Sequence, residues 1–210
     1  MYEFEDLPLS PIDPATNVLV AGSAMGGARD LFLEMLAPAD GEGTIVVSTG
    51  TGARKLINRF RAVAGDVGAR RVAVVDAVSQ QQGVGTDGEN VRTVSSPRDL
   101  TGIGMELTDL YEGLYDRGTD DVRTGLDSIS TLLMYAELPT VFRFLHVFTG
   151  RVSTADGMGV FVVDPSSHDD QTTQTLNQLF DGRIEVRADD GGPQLRVQGL
   201  SGQPTDWTSF

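Results

Sequence analysis

The chain has 210 residues, 40% of them apolar and 22% charged, which is the composition of a globular protein with a sizeable core. Thirty acidic and 16 basic side chains give a net charge of −14, which disfavours binding to nucleic acid or to an anionic membrane. Because there is no cysteine, disulfides, thiolate metal sites and cysteine nucleophiles are excluded. We expect a single domain over residues 1–210, with a core at 13–202 and a polar tail at 203–210.

The acidic composition also bears on the salt concentration in which the protein works. Lys55 is the only lysine beside 15 arginines, and Asp outnumbers Glu 21 to 9. Such a surface indicates a halophilic protein, because a Debye length of about 3 Å at molar salt screens its self-repulsion. An acidic protein from a GC-rich genome is the alternative, since GC-rich codons also favour Arg over Lys. No apolar run approaches the ~20 residues of a membrane span, and the acidic N-terminus does not resemble a signal peptide, so we expect a cytoplasmic protein.

Short apolar, β-branched runs alternate with helical patterns along the chain, which is typical of a parallel sheet with helical crossovers. Strands are predicted at residues 17–22, 44–49, 71–77, 122–128, 158–164, 183–187 and 194–198, with the last two forming an edge hairpin. Apolar stripes at three-to-four spacing predict helices around residues 31–36, 56–63, 103–114, 141–152 and 176–180, and we expect these stripes to form the core. The fold class is therefore α/β, a three-layer, mostly parallel sheet with helices on both faces.

Two further local features follow from composition and capping patterns. Residues 79–95 are rich in Gln, Gly and Asp and are predicted to form a mobile loop. The third helix is predicted to begin with Ser96 as its cap and Pro97 in its first turn.

The first predicted strand ends in Gly22-Ser23-Ala24-Met25-Gly26-Gly27-Ala28-Arg29, which is close to a phosphate-binding P-loop. In the pattern G-x-x-x-x-G-K-[ST], backbone N–H groups surround the phosphates, the lysine reaches the β- and γ-phosphates, and the hydroxyl holds magnesium. Here Ala28 replaces the lysine and Arg29 replaces the hydroxyl residue. Arg29 lies one residue late, about 100° around the helix, so a solvated arginine or an ion pair with Asp30 or Glu34 is favoured over phosphate contact.

The fourth predicted strand ends in Asp127-Ser128, where a P-loop ATPase carries the aspartate that holds the magnesium water, on a strand beside the P-loop strand. Arg123 and Gly125 interrupt the apolar run expected of a buried strand. Taken alone, the pair is better explained as a helix cap, but after a P-loop-shaped turn it supports a nucleotide site. We therefore predict a vestigial nucleotide site made of Gly22, Gly26, Gly27, Arg29, Asp127 and Ser128.

The order of elements, together with residues 16–22, 127–132 and 179–186, resembles the RecA-like ATPase domain of the KaiC family, and more closely a haloarchaeal branch of it. The likeness spans residues 13–202. It implies a catalytic glutamate after the second strand and a K-x-R pair after the last strands that reaches a neighbouring subunit's phosphates. Residues 46–51 hold no carboxylate, and the stretch that matches K-x-R is Gly199-Leu200-Ser201. With the missing lysine this makes three departures, so we expect no hydrolysis and assign no catalytic residue.

These observations predict a RecA/KaiC-like pseudo-ATPase that acts as a regulatory or scaffolding protein through protein contacts and needs no cofactor. The resemblance implies self-association as a homo-oligomer or pairing with an active paralogue. The competing hypothesis is an ATP-binding switch or slow ATPase, in which the amides of residues 22–27 and Asp127 hold ATP with magnesium. A DNA-associated recombination accessory is disfavoured by the net charge of −14.

A second polar cluster at residues 164–170 would face the same crevice, outside the carboxyl ends of the strands. A hydrolase triad is not supported, because no G-x-S-x-G elbow is present and neighbouring loop residues cannot form a triad with one another. A metal site from Asp164, His168 and Asp169 has no recognised ligand spacing, so Asp169 or Asp170 is more simply the cap of the last helix.

Three other residues are candidates for packing or interface contacts. His146, on a helix beside the apolar stripe, is interpreted as a packing or interface residue. Trp207 and Phe210 in the tail either dock on a neighbouring surface or fold back onto their own sheet edge.

Overall fold

A computed structural model describes residues 1–80, 83 and 90–210 of the protein. The strands are β1 (Thr16–Ala21), β2 (Gly43–Ser48), β3 (Val72–Asp76), β4 (Val91–Thr93), β5 (Val122–Leu126), β6 (Met158–Val163), β7 (Gly182–Asp189), β8 (Gly192–Gln198) and β9 (Thr208–Ser209). The helices are α1 (Ala28–Met35), α2 (Ala53–Ala69), α3 (Leu100–Tyr115), α4 (Ile129–Tyr135), α5 (Leu138–Thr154) and α6 (Asp170–Asn177). Helix α2 is interrupted at Gly65, whose φ of +69° is non-helical.

These strands form one sheet in the order β4-β3-β2-β5-β6-β1-β7-β8-β9. Every pair from β4 to β7 is parallel, whereas β8 pairs antiparallel with both β7 and β9. The mostly parallel sheet with a C-terminal hairpin confirms the predicted fold class. Because the strands from β4 to β7 run parallel, their carboxyl ends lie along one edge of the sheet. Ligands of open α/β folds bind outside this edge.

Strand β5 does not lie beside β1, because β6 is paired with both of them. The prediction that the strand ending at Asp127 neighbours the first strand is therefore wrong. The order of strands along the chain does not predict this neighbour relation, because β6 follows both strands in the sequence yet lies between them in the sheet.

The two faces of the sheet carry separate apolar cores. One core lies under the N-terminal segment, α1 and α2, and the other lies under α3, α4, α5 and α6. Alternate residues of each central strand enter opposite cores, as in β1, where Val18 and Val20 pack on the first side and Leu19 on the second. The predicted stripes are mostly core, although Phe144 of α5 is only partly buried.

Gly125, which the sequence analysis treated as an interruption of β5, is required by the packing of α1. A Cβ atom at this position would lie 2.8 Å from the ring of Phe32 and would overlap the side chain of Leu36. The missing side chain therefore lets α1 approach the sheet, and β5 is buried along its whole length.

Arg123 is likewise part of the core rather than a break in β5. Its side chain is 1% exposed, and its Nε donates to Glu42 Oε2 at 2.6 Å. The guanidinium also donates to the carbonyl of Glu3 and lies 5.5 and 5.3 Å from the ring centres of Tyr2 and Phe4. This buried, paired arginine fixes the N-terminal segment on the sheet.

Several boundaries differ from the sequence-based expectation. Asp99, not Ser96, is the N-cap of α3, and its side chain accepts from the N–H of Gly102 at 2.9 Å. Helix α4 and strands β4 and β9 were not predicted. Strand β4 lies inside the stretch predicted as a mobile loop, whose residues 81–82 and 84–89 fall outside the described residues. In the described ranges, no helix is long and apolar enough to cross a membrane.

Candidate functional site

The glycine-rich turn after β1 lies at the carboxyl edge and packs against the β7–β8 hairpin. Ala24–Gly26 form a short 3₁₀ turn, and Gly27, with φ +100°, precedes α1. A Cβ atom on Gly22 would lie 2.7 Å from the carbonyl oxygen of Val186, and one on Gly27 would lie 2.7 Å from Pro193 Cβ. Contact with the hairpin is thus sufficient to explain why glycine stands at both positions.

The two residues that follow the glycines differ in burial. Ala28, at the place of the P-loop lysine, is 0% exposed and belongs to the core under α1. Arg29 is partly exposed and makes no ion pair within the part of the chain that the structure describes. The ion pair with Asp30 or Glu34, one of its two sequence-based alternatives, is therefore not formed among the described residues. Burial raises the pKa of Glu34, one turn further along α1, and the nearby carboxylates of Asp30 and Asp6 add to this effect.

Asp127 is hydrogen-bonded to the turn that follows β2. Its Oδ1 accepts from the N–H and hydroxyl of Thr49 at 2.7 and 2.9 Å, and its Oδ2 accepts from Ser48 Oγ at 2.7 Å. The N–H of Gly50 lies 3.3 Å from both oxygens. Burial raises the pKa of Asp127, while the hydrogen bonds from Thr49, Ser48 and Gly50 act in the opposite direction. The carboxyl group therefore holds the β2–α2 turn in place.

Ser128, the second residue of the predicted pair, is the N-cap of α4. Its Oγ accepts from the N–H of Thr131 at 3.0 Å. The helix-cap interpretation of Asp127-Ser128 is correct for Ser128, whereas Asp127 binds a different loop.

Asp76, at the end of β3, is a carboxylate that the sequence analysis did not single out. It is 0% exposed and accepts from Ala53 N at 2.6 Å, Ser79 N at 2.9 Å and Ser79 Oγ at 2.6 Å. Two carboxylates of this edge, the buried Asp76 and the partly buried Asp127, thus hold the two ends of the same β2–α2 turn. An Asp directly after a buried apolar strand was the available signal for Asp76.

The cluster after β6 is joined by hydrogen bonds to α4. His168 Nε2 lies 2.8 Å from Ser130 Oγ, which also accepts from Asp164 N at 3.0 Å. The pairing of His168 with Ser130, 38 residues away, was not predicted. Asp169 is the N-cap of α6, as predicted, and the hydrogen bond from Thr172 lowers the pKa of its carboxyl group.

No set of three or more His, Asp or Glu among the residues described by the structure is placed to hold a metal ion. His146 is exposed on the outside of α5.

The C-terminal segment folds back onto its own sheet edge, which was one of the two alternatives. The ring of Trp207 contacts two guanidinium groups, whose central carbons lie 4.1 Å (Arg187) and 4.6 Å (Arg196) from the ring centre. Strand β9 pairs with β8, and the ring of Phe210 lies 3.3 Å from where a Cβ of Gly27 would be. The segment thus covers one side of the glycine-rich turn.

A cleft of about 270 Å³ remains between this turn, the β6–α6 loop and Trp207. Its charged lining residues are Asp164, Arg183 and Glu185, and Arg183 and Glu185 are paired at 3.4 Å. Binding pockets for drug-sized ligands commonly have volumes of roughly 300–1,000 Å³, so this cleft falls below that range. Of the six residues predicted to form the nucleotide site, Gly22 is the one that lines this cleft.

Comparison with known proteins agrees with this architecture. The profile of a family described as "Family of unknown function (DUF7504)" matches residues 15–186. No curated protein matches the sequence. The uncharacterized protein PH0321 from Pyrococcus horikoshii, solved in complex with an unknown peptide, superposes with a TM-score of 0.67 at 14% identity, covering 89% of this chain and 84% of its own. The KaiC-like protein PH0186 from Pyrococcus horikoshii OT3 superposes with a TM-score of 0.65 at 13% identity, covering 93% and 84%. The fold is therefore that of KaiC-like, RecA-type proteins.

Proposed function

The chain belongs to the family of unknown function DUF7504, and on that premise we propose that it is a pseudo-ATPase: a single RecA/KaiC-like domain that does not hydrolyse ATP. In this proposal it acts as a regulatory or scaffolding protein through protein contacts. The observation that carries the proposal is the hydrogen bonding of Asp127 to Ser48, Thr49 and Gly50.

Phosphoryl transfer requires a cation on the phosphates, an aspartate for the metal and a residue that orients the attacking nucleophile. The buried Ala28 stands at the place of the cation. Thr49 and Gly50, which stand where the resemblance implies the base, donate to the very aspartate that would serve the metal. Each of these positions therefore has a structural role, which supports loss of hydrolysis.

The comparison with PH0321 supports a role in protein contacts. That protein was solved with an unknown peptide, and it shares the fold at 14% identity. We extend peptide or protein binding to this chain as a proposal, with a protein partner, an active paralogue or a second copy as the bound molecule. The acidic, lysine-poor surface supports a haloarchaeal cytoplasm as the setting, with a net charge of −14.

The second candidate is an ATP-binding switch or slow ATPase that uses magnesium and the amides around Gly22, Gly26 and Gly27. The KaiC-like fold favours it. The cleft beside the turn disfavours this candidate, because its volume of about 270 Å³ is small for a ligand site and Trp207 forms part of its wall.

Equilibrium binding of labelled ATP with magnesium at high salt separates the two candidates. If the protein is a pseudo-ATPase, we expect no saturable binding of ATP in the micromolar range. Saturable binding that is lost in the absence of magnesium, and that persists in the exposed-surface control Arg54→Glu, would favour the switch.

A further inference from the structure

A groove with a mostly apolar lining lies between α3 and α5. Two clefts of about 410 and 550 Å³ lie end to end between these helices and share Val147 and Arg151 in their walls. The groove runs from Leu100 to Tyr115 along α3. At 1.5 Å per helical residue, its length is about 22 Å, which matches about four turns of a helix.

The groove has an apolar floor and exposed apolar walls. Leu107 and Phe148 in the floor are each 1% exposed. Above them, Met105 is 64% exposed, Val147 is 56% exposed and Tyr115 is 41% exposed. Contiguous apolar side chains of this kind on a strongly charged protein mark an interaction site.

The charge of the groove is opposite to that of the whole chain. Arg143 and Arg151 are the charged side chains that line it, and neither pairs with a described carboxylate. Arg151 instead donates to the carbonyl of Gly104 at 2.6 Å and to Thr108 Oγ1. The two arginines are eight residues apart on one helix, about 12 Å along its axis. In a chain of net charge −14, two arginines left without carboxylate partners complement carboxylates on another molecule.

We propose that the α3–α5 groove binds an acidic amphipathic helix of a different protein. The proposal rests on the proposed scaffolding function and names its binding surface and the chemistry of its partner. The bound helix would place apolar residues at i, i+3/i+4 and i+7 on the floor and carboxylates beside Arg143 and Arg151.

A second copy of this chain fits the groove less well. The described helices bury their main apolar stripes in the two cores, and the exposed apolar side chains of α3 and α5 are those that line the groove itself. Groove-to-groove contact about a twofold axis would bring Arg143 and Arg151 of both copies together, and like charges opposed in an interface cost free energy.

Fluorescence anisotropy with two synthetic probes tests the proposal. Both are labelled 18-residue helices with the same leucine stripe, and they carry either glutamate or lysine beside it. We expect the glutamate helix to bind about tenfold more tightly than the lysine helix at moderate salt. The double variant Arg143→Glu with Arg151→Glu should reverse this preference, and Val147→Asp should abolish binding of both helices. The control Arg54→Glu, on α2 at the opposite face of the sheet, should leave the preference unchanged.

Two results would overturn the proposal: equal or no binding of the two helices, or sedimentation that shows a dimer which Val147→Asp dissociates. Neither result bears on ATP turnover, which is measured on the same preparation, so failure of the groove and failure of the pseudo-ATPase proposal are distinguishable. Melting curves of each variant confirm that it is folded, which is expected because the substituted side chains are exposed.

Discussion

The carboxyl edge of the sheet and the α3–α5 groove differ in how their polar groups are used. At the edge, Asp127 accepts several hydrogen bonds from the β2–α2 turn, and Asp76 accepts one from Ala53 N and others from the residues that follow β3. In the groove, Arg143 and Arg151 have no carboxylate partner in the described part of the chain, and Met105 and Val147 are mostly exposed. The difference teaches that the carboxylates at the edge where such folds bind ligands are engaged within the fold, whereas the arginines of the outer helical face have no carboxylate partner among the described residues.

The largest expected effect tests whether Asp127 is structural. Asp127→Ala leaves the N–H groups of Thr49 and Gly50 without their acceptor, so we expect a loss of about 3 kcal/mol in the free energy of unfolding. The hydroxyls of Ser48 and Thr49 keep the carbonyl oxygens of Thr51 and Ser128 as acceptors. Denaturant unfolding measures the loss. A residue kept for ligand binding commonly costs stability, so an unchanged or more stable variant would place Asp127 in a functional site instead.

The pH dependence of stability sharpens the same point. Burial raises the pKa of Asp127 above the ordinary Asp value of about 3.9, so the native state holds its proton more tightly than the unfolded state does. The associated stability is fully present below that ordinary value and is lost as pH rises through the native pKa. Asp127→Asn should remove this component, so unfolding of the variant should depend less on pH across that window. Identical pH profiles for variant and wild type would contradict the shift.

Restoring the P-loop residues should not restore function at the edge. Because Ala28 is fully buried, Ala28→Lys with Arg29→Thr must accommodate an ammonium group in the core, and we expect a loss of about 2 kcal/mol. ATP turnover should stay absent, since Thr49 and Gly50 still provide no base. Thermal melting and a phosphate-release assay measure the two outcomes. Turnover in the double variant would show that a catalytic carboxylate lies elsewhere.

Removal of residues 204–210 should have a smaller effect. The truncation deletes β9 and the Trp207 ring that contacts Arg187 and Arg196, so we expect a loss of about 1.5 kcal/mol in stability with no change in peptide binding. Trp207→Ala is the matched single variant and should account for part of the loss. Unchanged melting together with lost partner binding would instead make this segment the docking element.

The smallest expected effect concerns the groove. Met105→Ser and Val147→Ser remove mostly exposed apolar side chains, so the stability should change by less than about 0.5 kcal/mol while probe binding weakens. Calorimetry and anisotropy on the same samples compare the two effects. A large loss of stability would show that these side chains belong to the core.

The sequence predicted the elements better than it predicted their neighbours. Alternating apolar runs located β1, β2, β3, β5, β6, β7 and β8 because each core strand needs a buried stretch, and Asp169 was recognisable as a cap from its place before α6. The insertion of β6 between β1 and β5 depends on long-range pairing that no local pattern records.

The contacts within the candidate site were harder to predict from the sequence, because they too depend on long-range pairing. The partners of Asp127 lie 77 to 79 residues earlier in the chain, and the buried role of Arg123 depends on Glu42 and the aromatic rings of the N-terminal segment. The groove was missed because Phe144 belongs to an ordinary amphipathic stripe, and only the packed helices reveal that it is partly uncovered.

The most direct test of the central claim is phosphate release from magnesium-ATP by the full chain at molar salt, measured beside Asp127→Asn and a buffer control. We expect the wild-type protein and the variant to give the same rate as buffer. Release by the wild-type protein that exceeds buffer and disappears in a folded Asp127→Asn protein would contradict the claim that the carboxyl edge has lost catalysis.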